Sequence, residues 1–250
     1  MVIDAARKAV ADVFDPQMRP LVWKSLGLAI LALIVLWWVV RLGFDWLALP
    51  WLSGFMPQMP EWTGWISAFA AIAAGLALAV ALAFLIGPVS AAIAGIFLDD
   101  VAARVEARSY PDDAPGRPVP LGQGIVLSLK FFGIVILGNI VALMLLLIPG
   151  VNLIAFFVVN AFLLGREYFE FAAMRFRPET AAKLMRRENA TTVFLAGLLI
   201  ATLMAVPLAN LLTPFFAAAL ATHLHKAIEK RELEKSLRRA RGEKTGAPPA

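Results

Sequence analysis

Cysteine is missing altogether from these 250 residues, and histidine and tyrosine occur only twice each. Without thiols there is no disulfide framework, no thiolate zinc site and no cysteine nucleophile. Charge is also scarce, at 16% of residues against about 25% in average soluble chains. A phosphate-cradling loop of the G-x-x-x-x-G-K-[ST] kind is lacking, so the chain carries no nucleotide-driven motor of its own. No Ser/His/Asp set and no carboxylate pair falls within an apolar segment, which leaves no visible catalytic machinery and no expected cofactor. His223 and His225 stand two apart on an expected helix, so they point to different faces and do not form a joint metal site. They read as interfacial residues at a helix end.

What the chain has in excess is oil: 60% of its residues are hydrophobic. That fraction exceeds the 45–50% or so of soluble proteins and points to lipid. The formal charge of +5 is not a nucleic-acid signal, because residues 226–250 hold eight Lys/Arg against four Asp/Glu and supply most of it. The remainder offers no broad basic face for a phosphate backbone.

Four stretches lack Asp, Glu, Lys and Arg: Ser25–Val40, Trp62–Leu98, Phe131–Gly165 and Asn189–Thr222. A crossing helix needs about 20 residues. The first stretch, extended back to give residues 21–42, is one crossing; a cleaved signal peptide is the alternative, though no small-x-small site lies between the end of the apolar stretch and Pro50. The second, 64–98 as a crossing, contains Gly87-Pro88 and is long enough to tilt or bend. The third and fourth are broken in the middle, by Pro149-Gly150 and by Pro207 with Thr213-Pro214. They read as two helical hairpins, residues 122–170 and 189–225, whose arms are mostly short for a full crossing. Partial insertion and six full crossings both remain open.

Charge placement sets orientation. If both broken runs fold back, Arg41 alone of the 23 Lys/Arg lies on one side of the membrane and the other 22 lie opposite. The positive-inside rule makes the rich side cytoplasmic, with both termini there. Six of seven Trp cluster around the opposite loop, residues 41–61, as rings at a headgroup boundary do. The expected fold is thus an all-α integral membrane protein with two long transmembrane helices and two Pro-broken, partly inserted helical hairpins. It forms one membrane domain over residues 1–228. A charged cytoplasmic tail, 229–250, is disordered at its end. Residues 99–108 continue the second helix into the cytosol, 109–120 is a loop, and 175–188 is a short polar helix joining the hairpins.

Polar residues inside oily runs are costly and face the interior of a bundle. Asn152, Asn160, Asn210 and Thr213 are hairpin-turn or pore candidates, with helix packing as the plainer role. Asn152 and Thr213 also suit helix caps that would leave amide groups and a positive dipole end free for an anion. Arg166 and Glu170 are spaced for an i,i+4 pair, at a pore mouth or as an interfacial bridge. Arg19 begins the first crossing, where a guanidinium and backbone donors could meet an oxyanion or simply anchor the helix.

Four strings, Leu147-Ile148-Pro149-Gly150-Val151-Asn152, Leu164-Gly165-Arg166-Glu167-Tyr168-Phe169-Glu170, Val206-Pro207-Leu208-Ala209-Asn210-Leu211-Leu212-Thr213-Pro214 and the Gly87-Pro88 helix running on to Val105-Glu106, are similar in order and spacing to the CysZ-type sulfate permeases and the wider etoposide-induced membrane protein family. The resemblance implies a bacterial inner-membrane, oligomeric protein that passes sulfate inward for cysteine synthesis without ATP. It also implies an anion site in the turn before the first crossing, here Gln17, Met18 and Arg19 with Lys24 following. The family's glycine and proline are absent from that stretch. A non-transporting scaffold or assembly factor of the same fold is the alternative function.

Overall fold

The computed structural model describes residues 1–43, 46, 75–76, 96–118 and 151–241, and among them every regular element is helical, with no strand. The helices are α1 (Val2–Val13), α2 (Arg19–Gly43), α3 (Leu98–Ser109), α4 (Val151–Met174), α5 (Glu179–Glu188), α6 (Ala190–Met204), α7 (Pro207–Asn210) and α8 (Thr213–Ala240). The chain divides into two compact units, Met1–Val22 with Leu98–Ala250, and Trp23–Phe97.

In the first unit α8 is the central element. From Phe215 to Lys226 every residue is buried, and α1, α3, α4 and α6 all pack against it. A helix buried all round must be apolar and slim, and the sequence Phe-Phe-Ala-Ala-Ala-Leu-Ala supplies both properties. The helix starts where Pro214 fits its first turn, since proline lacks the N–H that would be orphaned there. Helix α1 turns Ala5, Ala9, Asp12 and Val13 inward at i, i+4, i+7 and i+8. Helices α4 and α6 make the most extensive pairing and cross where two glycines meet. A methyl on Gly197 would strike the Ala161 carbonyl and stand 2.7 Å from the Gly165 nitrogen, so only the bare backbones permit this approach.

The expected break in the fourth apolar run is present. Helix α6 ends at Met204, Val206 is extended, and α7 and Leu211-Leu212 separate it from α8. The polar helix expected within 175–188 is α5, which begins after Pro178. Residues 110–118 form the expected loop, and the charged stretch after Lys226 is helical to Ala240. Helix α4 falls where the second arm of the first hairpin is expected; the expected first arm, residues 122–150, and the disordered end expected after 241 lie outside the described residues, as does most of the crossing expected over 64–98.

In the second unit the one long described element is α2 from Trp23 onward. It is the only helix among the described residues long and apolar enough to cross a membrane. Its surface is exposed on nearly every side, with Ile30, Leu31, Ile34, Val35, Trp38 and Val39 all at least half exposed or close to it.

Candidate functional site

The turn between α1 and α2 is organised by Asp15. Its side-chain oxygen accepts the Gln17 N–H at 2.8 Å and its carbonyl accepts the Met18 N–H at 3.0 Å. This is the local hydrogen bonding to which short acidic side chains are suited. Two arginines one helical turn apart on α3 close over the turn. Arg104 donates to the Gln17 carbonyl, and Arg108 lies 2.6 Å from Asp15 and 3.3 Å from Asp12. The Met18 side chain is buried, while Arg19 and Lys24 are exposed on α2 and make no ion pair with other described residues. The cation expected at this turn is therefore available, whereas the amides of Gln17 and Met18 are already bonded to Asp15.

Arg166 and Glu170 are brought together as their spacing requires: Arg166 Nε donates to Glu170 Oε1 at 3.2 Å. The sequence did not disclose a third member, Arg186 of α5, whose Nε stands 2.6 Å from the same oxygen. The other hairpin candidates are not part of this cluster. Asn152 lies in the first turn of α4, and Asn160 is half-buried further along that helix. Asn210 ends α7 on the surface. Thr213 is buried at the first position of α8 and is not its cap. Its hydroxyl donates back to the Ala209 carbonyl at 3.2 Å, because Leu212 occupies the capping position. Asn152 likewise falls inside its helix, which begins one residue earlier.

The buried polar contacts lie where the sequence reading saw little. His223 and His225 are not interfacial; both are fully enclosed in α8. His223 Nε2 is 2.6 Å from Asp12 Oδ2, and Nδ1 is 2.8 Å from the Tyr110 hydroxyl. A carboxylate only accepts, so Nε2 donates to Asp12 and the Tyr110 hydroxyl pairs with Nδ1 on the other side of the ring. Burial, with the nearby Asp12 and Asp113 carboxylates, pushes the Tyr110 hydroxyl up to about 12, which keeps it a donor throughout the physiological range. His225 turns to another face and stacks on Phe176 with ring centroids 4.8 Å apart.

A second buried cluster centres on Arg175. Its Nε donates to Glu106 at 2.8 Å and its Nη1 to Asp99, joining the end of α4 to α3. Burial opposes the guanidinium charge, yet the bonds and attraction from Glu106 and Asp99 overcome it and raise the pKa above its ordinary value. The loop seals the cluster, with the Gly116 N–H donating to Glu106 at 2.9 Å. A side chain at position 116 would press on Arg175, Glu106 and Phe176, each 3.0 Å from its first carbon. Asp99 and Glu106, one face of a helix seven residues apart, and Asp12 on an otherwise apolar stripe were the available signals. Their partners lie 76, 69 and 211 positions away.

These arrangements clamp helices together with paired charge. No group of three or more His, Cys, Asp or Glu that could hold a metal ion occurs among the described residues. No curated protein matches the chain. The family described as Sulfate transporter CysZ/Etoposide-induced protein 2.4 matches residues 5–214, which is most of the sequence, and the chain belongs to that family.

Proposed function

We propose that the protein is an ATP-independent permease or channel for sulfate or a related oxyanion, working as a multi-pass homo-oligomer of the bacterial inner membrane and supplying sulfate for cysteine synthesis. The family match over residues 5–214 carries this reading. The exposed apolar surface of α2 supports a place in lipid, and the charge asymmetry of the sequence supports cytoplasmic termini. Arg19, an exposed cation at the first position of α2, is the recruiting group for the anion, with Lys24 reinforcing the local positive potential.

Reconstituted into liposomes, the protein should admit radiolabelled sulfate down its gradient without ATP. Arg19→Ala should lower the initial rate about tenfold, the worth of one charge-assisted contact. Identical uptake by protein-containing and empty vesicles would reject the proposal. The bonding of the Gln17 and Met18 amides to Asp15 favours a second reading, a non-transporting scaffold of the same fold. That reading expects no flux, and loss of a membrane complex when the protein is deleted.

A further inference from the structure

A cleft of about 300 Å³ opens between α4, the end of α5 and the start of α6, lined by Phe162, Arg166, Arg186, Ala190, Thr191, Val193 and Phe194. Its two ends differ chemically. One is cationic: Arg166 and Arg186 share the single carboxylate of Glu170, at 3.2 and 2.6 Å, so this local trio keeps one positive charge in excess. Arg186 Nε is buried, and despite its closeness to Glu170 its N–H is directed at no acceptor. Two guanidiniums against one carboxylate in the lining of a cleft favour an anionic occupant.

Helix α6 adds further donors. It runs 15 residues from Ala190, and its capping residue, Asn189, makes no side-chain bond to the first turn; that amide donates instead to the Met185 carbonyl. The Thr191 hydroxyl is exposed and free of partners among the described residues. An uncapped helix start beside two guanidiniums suits a tetrahedral oxyanion, which takes helix amides and planar arginine forks together. The other end of the cleft is apolar. The rings of Phe162 and Phe194 and the Val193 side chain form a wall that a free inorganic anion would not use.

We propose that this cleft binds the headgroup phosphate of an anionic phospholipid, with Arg166, Arg186, Thr191 and the start of α6 on the phosphate and the phenylalanine wall against the first carbons of the acyl chains. A lipid is the occupant that matches both ends at once. The proposal rests on the membrane reading above and not on which ion crosses. That reading puts both the end of the first hairpin and the start of the second at the cytoplasmic surface, where such headgroups lie.

The test uses full-length protein, delipidated in detergent and supplied with phosphatidylglycerol or phosphatidylcholine, with bound lipid counted by native mass spectrometry. The wild type should retain one phosphatidylglycerol in preference to phosphatidylcholine. Arg186→Gln should weaken that retention about tenfold, one charge-assisted bond. Thr191→Val leaves the Glu170 cluster intact and should weaken it about threefold, whereas Arg231→Gln on the distal tail should change nothing. Equal retention of the two lipids, or wild-type retention by both Arg186→Gln and Thr191→Val, would overturn the proposal. So would calorimetric binding of inorganic phosphate without lipid that is abolished by Arg186→Gln while phosphatidylglycerol retention persists, since the cleft would then be a free-anion site. Sulfate flux that fails while phosphatidylglycerol retention holds would reject the permease and leave this site standing.

Discussion

Gly197 shows how little a single position can give when its neighbours are backbone. The atoms a methyl group would meet are the Ala161 carbonyl and the Gly165 amide nitrogen, neither of which can swing aside as a side chain can. Gly197→Ala should therefore force α4 and α6 apart and cost at least about 2 kcal/mol, as overpacking does. Gly27 offers the contrast, since no atom of the described residues beyond its own helix backbone lies within 4 Å of its added carbon. Gly27→Ala should be neutral or slightly stabilising, because alanine is the better helix former by about 1 kcal/mol. Thermal unfolding in detergent, followed by circular dichroism, checks both; a Gly197→Ala melting curve coincident with wild type would contradict the close crossing. Neither Gly165 nor Gly197 announces this close approach in the sequence, where one lies in Leu164-Gly165-Arg166 and the other in Ala196-Gly197-Leu198 with no special spacing between them.

Among elements, α1 is the one whose attachment depends on polar contacts. Its inward face is small, with Ala5, Ala9 and Val13 as the apolar members, so the bond of Asp12 to His223 and the support of Arg108 weigh heavily in its position on α8. Tyr110 completes this attachment through its hydroxyl, 2.8 Å from His223 Nδ1. Its folded-state pKa of about 12 lies above the ordinary 10.0. The folded state thus holds the phenolic proton more firmly than the unfolded chain does. The stabilisation is complete below pH 10 and is lost as pH rises toward 12. Tyr110→Phe should be less stable than wild type by about 1 kcal/mol at pH 8, one hydrogen bond, and the difference should shrink steadily above pH 10. A difference that stayed constant over that alkaline range would show that Tyr110 does not titrate as this contact requires. Helix α5 illustrates the opposite case, an element whose limits can be read directly. Pro178 precedes it, Glu179 opens its first turn and Arg186 and Arg187 close its last, in agreement with the helix dipole.

At the scale of the whole molecule, the expected pairing of the broken runs as hairpins makes a prediction that the absence of cysteine renders simple to examine. Single cysteines at Arg187 and at Ser109, both exposed, should react with a membrane-impermeant maleimide only from the cytoplasmic side. One at Trp46, 81% exposed, should react only from the opposite side. Labelling of positions 109 and 187 from opposite faces would refute the paired hairpins. The hydrophobic runs made α2, α6 and the apolar start of α8 legible, because a charge-free stretch of that length has few places to go other than lipid or a protein core. The candidate site was legible only in part. Arg166 and Glu170 met because helical spacing is local, and Arg19 fell at a helix start, but Arg186 reached Glu170 from another helix with no mark in its own neighbourhood.

The sequence by itself determined the all-helical character of the described chain, the long apolar α2, the break around Pro207 and Pro214 and the family, since all of these depend on composition and spacing along a few helical turns. The tertiary structure alone decided that α8 is enclosed from Phe215 to Lys226, that both histidines are buried, and that Asp12, Glu106 and Glu170 find partners outside their own helices. Charged groups at a distance along the chain become neighbours only through the packing of apolar faces, and that packing depends on close approaches such as Gly165 to Gly197 that no local pattern encodes.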